Sequence, residues 1–157
     1  MSNYDPRVFE AEMRSAPSRV KNACIISWLL AVILAVRFIV ITQPSAKTSL
    51  FFLGWIFFNY VFNAVGLLAR SKLSYVMLAF FSSLSLLGGI EAILAMIRLL
   101  VTDEWQNNST EIALGCCGVV VTAVIALLFR NLFSKEARSW VWSRSKTVTQ
   151  QADAATC

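Results

Sequence analysis

Histidine is absent from the 157 residues. Its absence removes the commonest proton-transfer side chain near neutral pH and the commonest metal ligand. Cysteine is scarce: Cys24, Cys116, Cys117 and Cys157, with no Cys-x-x-Cys spacing. Neither a zinc site nor a dithiol redox motif is indicated. No loop holds two cysteines, so a disulfide framework is not indicated either. Charged residues make up only 15% of the chain, against roughly a quarter in soluble domains.

What fills the chain instead is apolar. Hydrophobic residues reach 57% and the mean hydropathy is +0.65. Leu73 to Val101 carries one acid, Glu91, and one base, Arg98, in its second half. At 1.5 Å per residue it exceeds a hydrocarbon core of roughly 30 Å. Three further apolar stretches, about 23–41, 49–69 and 112–133, complete the set. The expected fold is all-α: a membrane-embedded bundle of four transmembrane helices. Ahead of it stand residues 1–22, polar, with Asp5-Pro6 opening a short helix that ends near Pro17. Behind it, 134–157 start basic with Trp140 and Trp142 and end polar, composed like a disordered tail. A cleaved signal peptide is the rival reading of the first span. Its apolar core would be shorter, and Pro44 sits badly before a small-residue cleavage site.

The net charge of +5 marks topology, not nucleic acid. Eleven Lys and Arg fall on the side of both termini and of Arg70-Ser71-Lys72, against Lys47 and Arg98 on the other. Arg37 lies within a span. The positive-inside rule then places both termini in the cytoplasm. Asn107-Asn108-Ser109-Thr110 holds two overlapping glycosylation sequons on the far side. The loop is too short to hold the acceptor off the membrane, so the match reads as chance.

The run GLLARSKLSYVMLAFFSSLSLLGG and the later LFRNLFSKEARSWVW carry a further pattern. A basic pair closes the second span, an aromatic opens a long third, and the fourth ends in a charged, aromatic stretch. Over about Gly66 to Trp142 the chain resembles small bacterial four-helix inner-membrane proteins. The resemblance implies a multi-pass protein of the bacterial inner membrane and no particular activity.

A charge inside a bilayer costs about 2.5–3.5 kcal/mol on insertion scales and is normally paired or functional. Counted from the cytoplasmic ends, Arg37 lies about 24 Å deep and Glu91 about 27 Å. The matched depth suggests an ion pair; separate snorkelling to the interface and a proton- or substrate-coupling role are the alternatives. Asn59 and Asn63 lie four apart on one face, at levels that Ser82 and Ser85 share. Interhelical hydrogen bonds between them, or a polar substrate path, follow. Gly88, Gly89 and Ala92 with Ser85 and Ala95, and Gly115 with Gly118, are small enough for close helix contact within the chain or across a dimer. Cys116 and Cys117 read as buried small hydrophobes, and Trp140 and Trp142 as an interfacial belt.

No nucleophile with its base, phosphate loop or metal cluster is recognisable, and no cofactor is implied. The expected role is non-catalytic: an accessory or interaction protein, a subunit, stabiliser or immunity-type partner, meeting a membrane protein or a second copy within the lipid bilayer. The alternative is an oligomeric small transporter or channel subunit with Glu91 as coupling acid. Nucleic acid is not an expected partner.

Overall fold

The computed structural model describes residues 14–42, 46–102 and 109–143. Every element among them is helical. Helix α1 spans Ser18–Thr42. Helix α2 begins as Ala46–Ile56, passes through a π-helical segment, Phe57–Phe62, and ends as Asn63–Leu68. Helix α3 spans Lys72–Val101 and α4 Ser109–Leu132. A last helix, α5, covers residues 135–143. The expected short helix from Asp5-Pro6, the sequon asparagines and the polar end of the tail lie largely or wholly outside the described residues.

Four helices are long and apolar enough to cross a membrane, which is the make-up of a multi-pass membrane protein. Their burial supports the same conclusion. In α3 only 11% of the most apolar window is buried. Leu50, Ile25 and Val101 are 80%, 67% and 79% exposed. Meanwhile Ser27, Asn59, Asn63, Ser74 and Ser82 are buried. Polar groups enclosed within an apolar core, with large apolar side chains left exposed on the outside, is the arrangement that lipid favours, because polar groups need internal partners there.

The helices pack in ring order. α1 contacts α2 and α4, and α3 contacts α2 and α4, leaving α1 and α3 across the diagonal. The α3–α4 contact is the most extensive, and small residues build it. A Cβ placed on Gly118 would lie 2.8 Å from Gly89 O and 3.1 Å from Ala92 Cβ. One placed on Gly89 would meet Thr122 Oγ1 at 2.8 Å, and Gly115 presses on the side chain of Met96. So the small face is closed within the chain. Gly88 is the exception to the expected contact. An added Cβ there meets nothing within 4 Å, because one helical step turns it about 100° from Gly89. Cys116 is also turned outward and exposed, not buried as expected, and Cys117 is half-buried.

At the α2–α3 end the chain reverses in three residues, Ala69 to Ser71. Ser71 N–H donates to Gly66 O (2.9 Å) and Arg70 N–H to Leu67 O (3.1 Å), the paired bonds of a Schellman ending. That ending puts Arg70 at φ 58°, where glycine is usual. Ser71 Oγ then accepts from Ser74 N–H (3.2 Å) and caps α3. Gly66 has no room for a side chain, since Ser74 stands against it.

The basic part of the expected tail is folded. Ser134 Oγ accepts from Ala137 N–H (3.2 Å) and starts α5. Ala137, Trp140 and Val141 are buried. The Arg70 guanidinium lies 3.8 Å from the centre of the Trp140 ring, and Tyr75 meets Trp142 edge to face at 5.4 Å. Trp140 is thus a packing residue in contact with the α2–α3 turn, while Trp142 is 46% exposed.

Candidate functional site

The π-helical segment of α2 sets the site. A π segment widens the turn and weakens helix hydrogen bonding, and such segments are frequent at functional sites. Here it brings two successive residues, Asn59 and Tyr60, to the inside, 2% and 3% exposed. The neighbouring helices stitch it in place. Ser27 Oγ of α1 donates to Tyr60 O (2.9 Å), and Cys24 Sγ donates to Ala64 O (3.2 Å). From α3, Phe81 O accepts the Tyr60 hydroxyl (3.0 Å), and Ser85 Oγ lies 2.6 Å from the same oxygen.

Above this layer, toward the α3–α4 end, a cavity of about 450 Å³ opens between all four helices. Its walls include Arg37 and Phe38 from α1, Trp55, Asn59 and Tyr60 from α2, Phe81 and Ser85 from α3, and Leu114 from α4. A neighbouring cavity of about 320 Å³ shares Arg37 and Leu114 and adds Gly88, Glu91, Ala92, Ala95 and Glu111. Glu111 lies in the first turn of α4, where the helix dipole favours a carboxylate.

The expected residues are only partly brought together. Arg37 and Glu91 do face one cavity. Among the described residues, however, they form no ion pair. They sit on diagonal helices, and Glu91 is exposed while Arg37 is half-buried. Arg98 is exposed as well. The asparagines do not bond the serines. Asn63 Nδ2 donates to Phe58 O (3.3 Å) and Asn59 O (3.1 Å) within its own helix. Asn59 Nδ2 donates to Trp55 O (2.8 Å). Asn59 Oδ1 is buried without a partner among the described residues. The interhelical polar contact falls to Tyr60 instead, which nothing in the apolar pattern singles out: tyrosine among phenylalanines reads as one more apolar residue. The same holds for Ser27, whose only signal is a hydroxyl in an apolar run.

No family model matches the chain, and no curated protein or solved structure is similar to it. The site therefore rests on its own geometry. That geometry is a recess walled by aromatic rings, with one guanidinium, the buried Asn59 in its lining and two carboxylates at its second cavity. Such an arrangement can hold a small amphipathic molecule by shape and charge. Among the described residues no group of three metal-ligating side chains converges.

Proposed function

We propose that this chain is a multi-pass protein of a bacterial inner membrane that works by binding a solute, as a small transporter or channel subunit with Glu91 as its coupling acid. The observation that carries the reading is Glu91 itself, a carboxylate facing an open cavity with no cation paired to it among the described residues. A carboxylate tied up in an ion pair is not available to a solute, whereas an unpaired one beside a cavity is, and intramembrane carboxylates mark solute and ion pathways. The basic residues favour an orientation with both termini and the Arg70–Lys72 turn in the cytoplasm. The cavity then faces the outer side. The side chains of Ser27 and Tyr60 are engaged in holding the bundle, which supports binding over catalysis.

An accessory role, as subunit, stabiliser or immunity-type protein, is the second reading. It is favoured by the aromatic face of α2, where Phe51, Phe57, Phe58 and Phe62 are all more than half exposed. The α3 small-residue face is already closed against α4, so a partner or second copy would use another surface. Native mass spectrometry after mild detergent extraction separates the two. A small molecule retained by the wild type and lost from Glu91→Gln, with folding intact, is the result expected. A stoichiometric protein partner retained equally by both would favour the accessory role.

A further inference from the structure

At the other end of the bundle, where α2 turns into α3 and α4 passes into α5, the chain builds a recess that the solute-binding reading does not use. It is lined by Tyr75 of α3, Phe133 just after α4, and Arg138, Ser139 and Trp142 of α5. Three of these rings form a row. Tyr75 meets Phe133 edge to face at 6.2 Å and Trp142 edge to face at 5.4 Å. A cation stands over each end of the row. The Arg138 guanidinium lies 5.9 Å from the centre of the Phe133 ring, and Lys72 Nζ lies 5.9 Å from that of Trp142. Two donors are open. Among the described residues Arg138 has no ion pair, and the hydroxyl of Tyr75, a residue only 7% exposed, has no hydrogen-bond partner. Ser139 Oγ, by contrast, donates to Glu136 O (2.9 Å). The surroundings carry one sign of charge. In the α2–α3 turn, the end of α4 and α5, the described bases are Arg70, Lys72, Arg130, Lys135 and Arg138, and the only described acid is Glu136.

These features select one kind of occupant, provided only that the four apolar helices cross a membrane and so bring their ends to headgroup level. A row of rings at the end of a span suits the glycerol and upper acyl carbons of a lipid. A guanidinium beside it matches phosphate oxygens in shape and charge, and a phenol hydroxyl donates to the same oxygens. Ring faces can also cradle a quaternary ammonium. Here, however, Arg138 and Lys72 already stand over the two outer rings, and their charges repel a cationic headgroup. We infer that this recess holds an anionic phospholipid of the adjoining leaflet. Its phosphate is held by Arg138 and the Tyr75 hydroxyl, its glycerol and acyl carbons lie against Phe133 and Trp142, and Lys72 adds attraction from the Trp142 end. Basic pockets at the ends of membrane helices bind such headgroups.

The test is native mass spectrometry of the full chain in detergent, titrated with phosphatidylglycerol or with phosphatidylcholine of the same acyl chains. Each Lys or Arg near an anionic lipid contributes a factor of roughly five in affinity. The wild type should therefore bind its first phosphatidylglycerol about tenfold or more tightly than phosphatidylcholine, with Arg138 and Lys72 both contributing. Arg138→Gln should weaken phosphatidylglycerol about fivefold on the same scale, and Tyr75→Phe should weaken it measurably. Lys135→Gln removes an equal charge from the same helix but outside the recess. It should change affinity by less than about twofold, because solvent and salt screen exposed charges that make no contact. Equal weakening by Lys135→Gln and Arg138→Gln would mean a diffuse basic surface and would overturn the proposal. So would equal or preferred binding of phosphatidylcholine by the wild type, a comparison that needs no variant to fold. Glycerol phosphate that displaces phosphatidylglycerol at matching concentration would assign the recess to a soluble phosphate and overturn the lipid. Size-exclusion profiles check that each variant is folded. Glu91→Gln should leave phosphatidylglycerol binding unchanged, so this proposal and the solute-binding reading fail separately.

Discussion

Tyr60 is the residue on which the polar layer turns. Its hydroxyl bridges α2 to α3 through Phe81 O and Ser85 Oγ, and its carbonyl receives Ser27 of α1. Three helices meet at one residue. Hydrogen bonds between membrane helices average about 0.6 kcal/mol and reach about 1.7 in double-mutant cycles. Tyr60→Phe keeps the ring and loses only the hydroxyl, so the expected cost is about 0.5–1.5 kcal/mol by unfolding in mixed micelles. The carbonyl bond from Ser27 survives this change, and Ser27→Ala should therefore add its own loss. A Tyr60→Phe variant as stable as wild type would show that the hydroxyl satisfies itself and no more. At this scale the sequence is a poor guide. Asn59, Asn63, Ser82 and Ser85 stand out as polar letters in apolar runs, and all but the exposed Ser83 of their neighbourhood are indeed enclosed or half-enclosed. Which of them bond across helices depends on the π segment. A straight 3.6-residue period puts Asn59 and Asn63 on one face and gives no reason to extend that face to Tyr60.

At the scale of elements, apolar length made all four long helices legible, with ends within a few residues for most. α1 starts earlier than its apolar run, at Ser18, because a helix continues through Arg19 and Lys21 once the bundle supports it. What the apolar pattern hides is pairing. Gly89 and Gly118 can be read as small, yet only the structure shows them facing each other and Gly88 facing open space. Gly89→Leu should overpack the α3–α4 contact and destabilise by about 1–3 kcal/mol, whereas Gly88→Ala should be tolerated. Equal tolerance of both in a thermal-shift measurement would place the contact elsewhere. The α2–α3 turn offers a second element-level test. Arg70 takes a left-handed backbone at a cost of about 1 kcal/mol and holds Trp140 of α5 in return. A ring–guanidinium contact is worth about 0.5–2 kcal/mol, more when desolvated. Arg70→Gly gains backbone ease and loses the ring. A cycle with Trp140→Ala should show coupling of about that size between the two positions. Purely additive losses would mean that α5 docks through Ala137 and Val141 alone.

For the molecule as a whole, the balance of Lys and Arg predicts the orientation. A reporter fused after Lys72 or Ser143 should read as cytoplasmic, and one inserted in the loop between Val101 and Ser109 as external. An external reading from the fusion after Ser143 would invert the cavity's side and with it the direction from which a solute enters. The same global frame decides how Arg37 and Glu91 behave. Counting residues brings them to one depth, and a bundle with α1 beside α3 would bring them together. The ring order places α1 and α3 on the diagonal, with a cavity between the charges and Glu111 sharing it. Breaking a buried ion pair by removing one partner costs about 3–5 kcal/mol, because a bare charge is left behind. Charges facing an open cavity lose far less, since water reaches both. The expected result is that Arg37→Gln and Glu91→Gln each change stability by less than about 1 kcal/mol, as is usual for groups outside a buried network. The double variant should then match their sum within about 0.5 kcal/mol, as sites without direct contact do. Coupling above about 2 kcal/mol would mean that the two charges meet within the membrane, and Glu91 would then be a structural partner of Arg37 and not a group free to engage a solute.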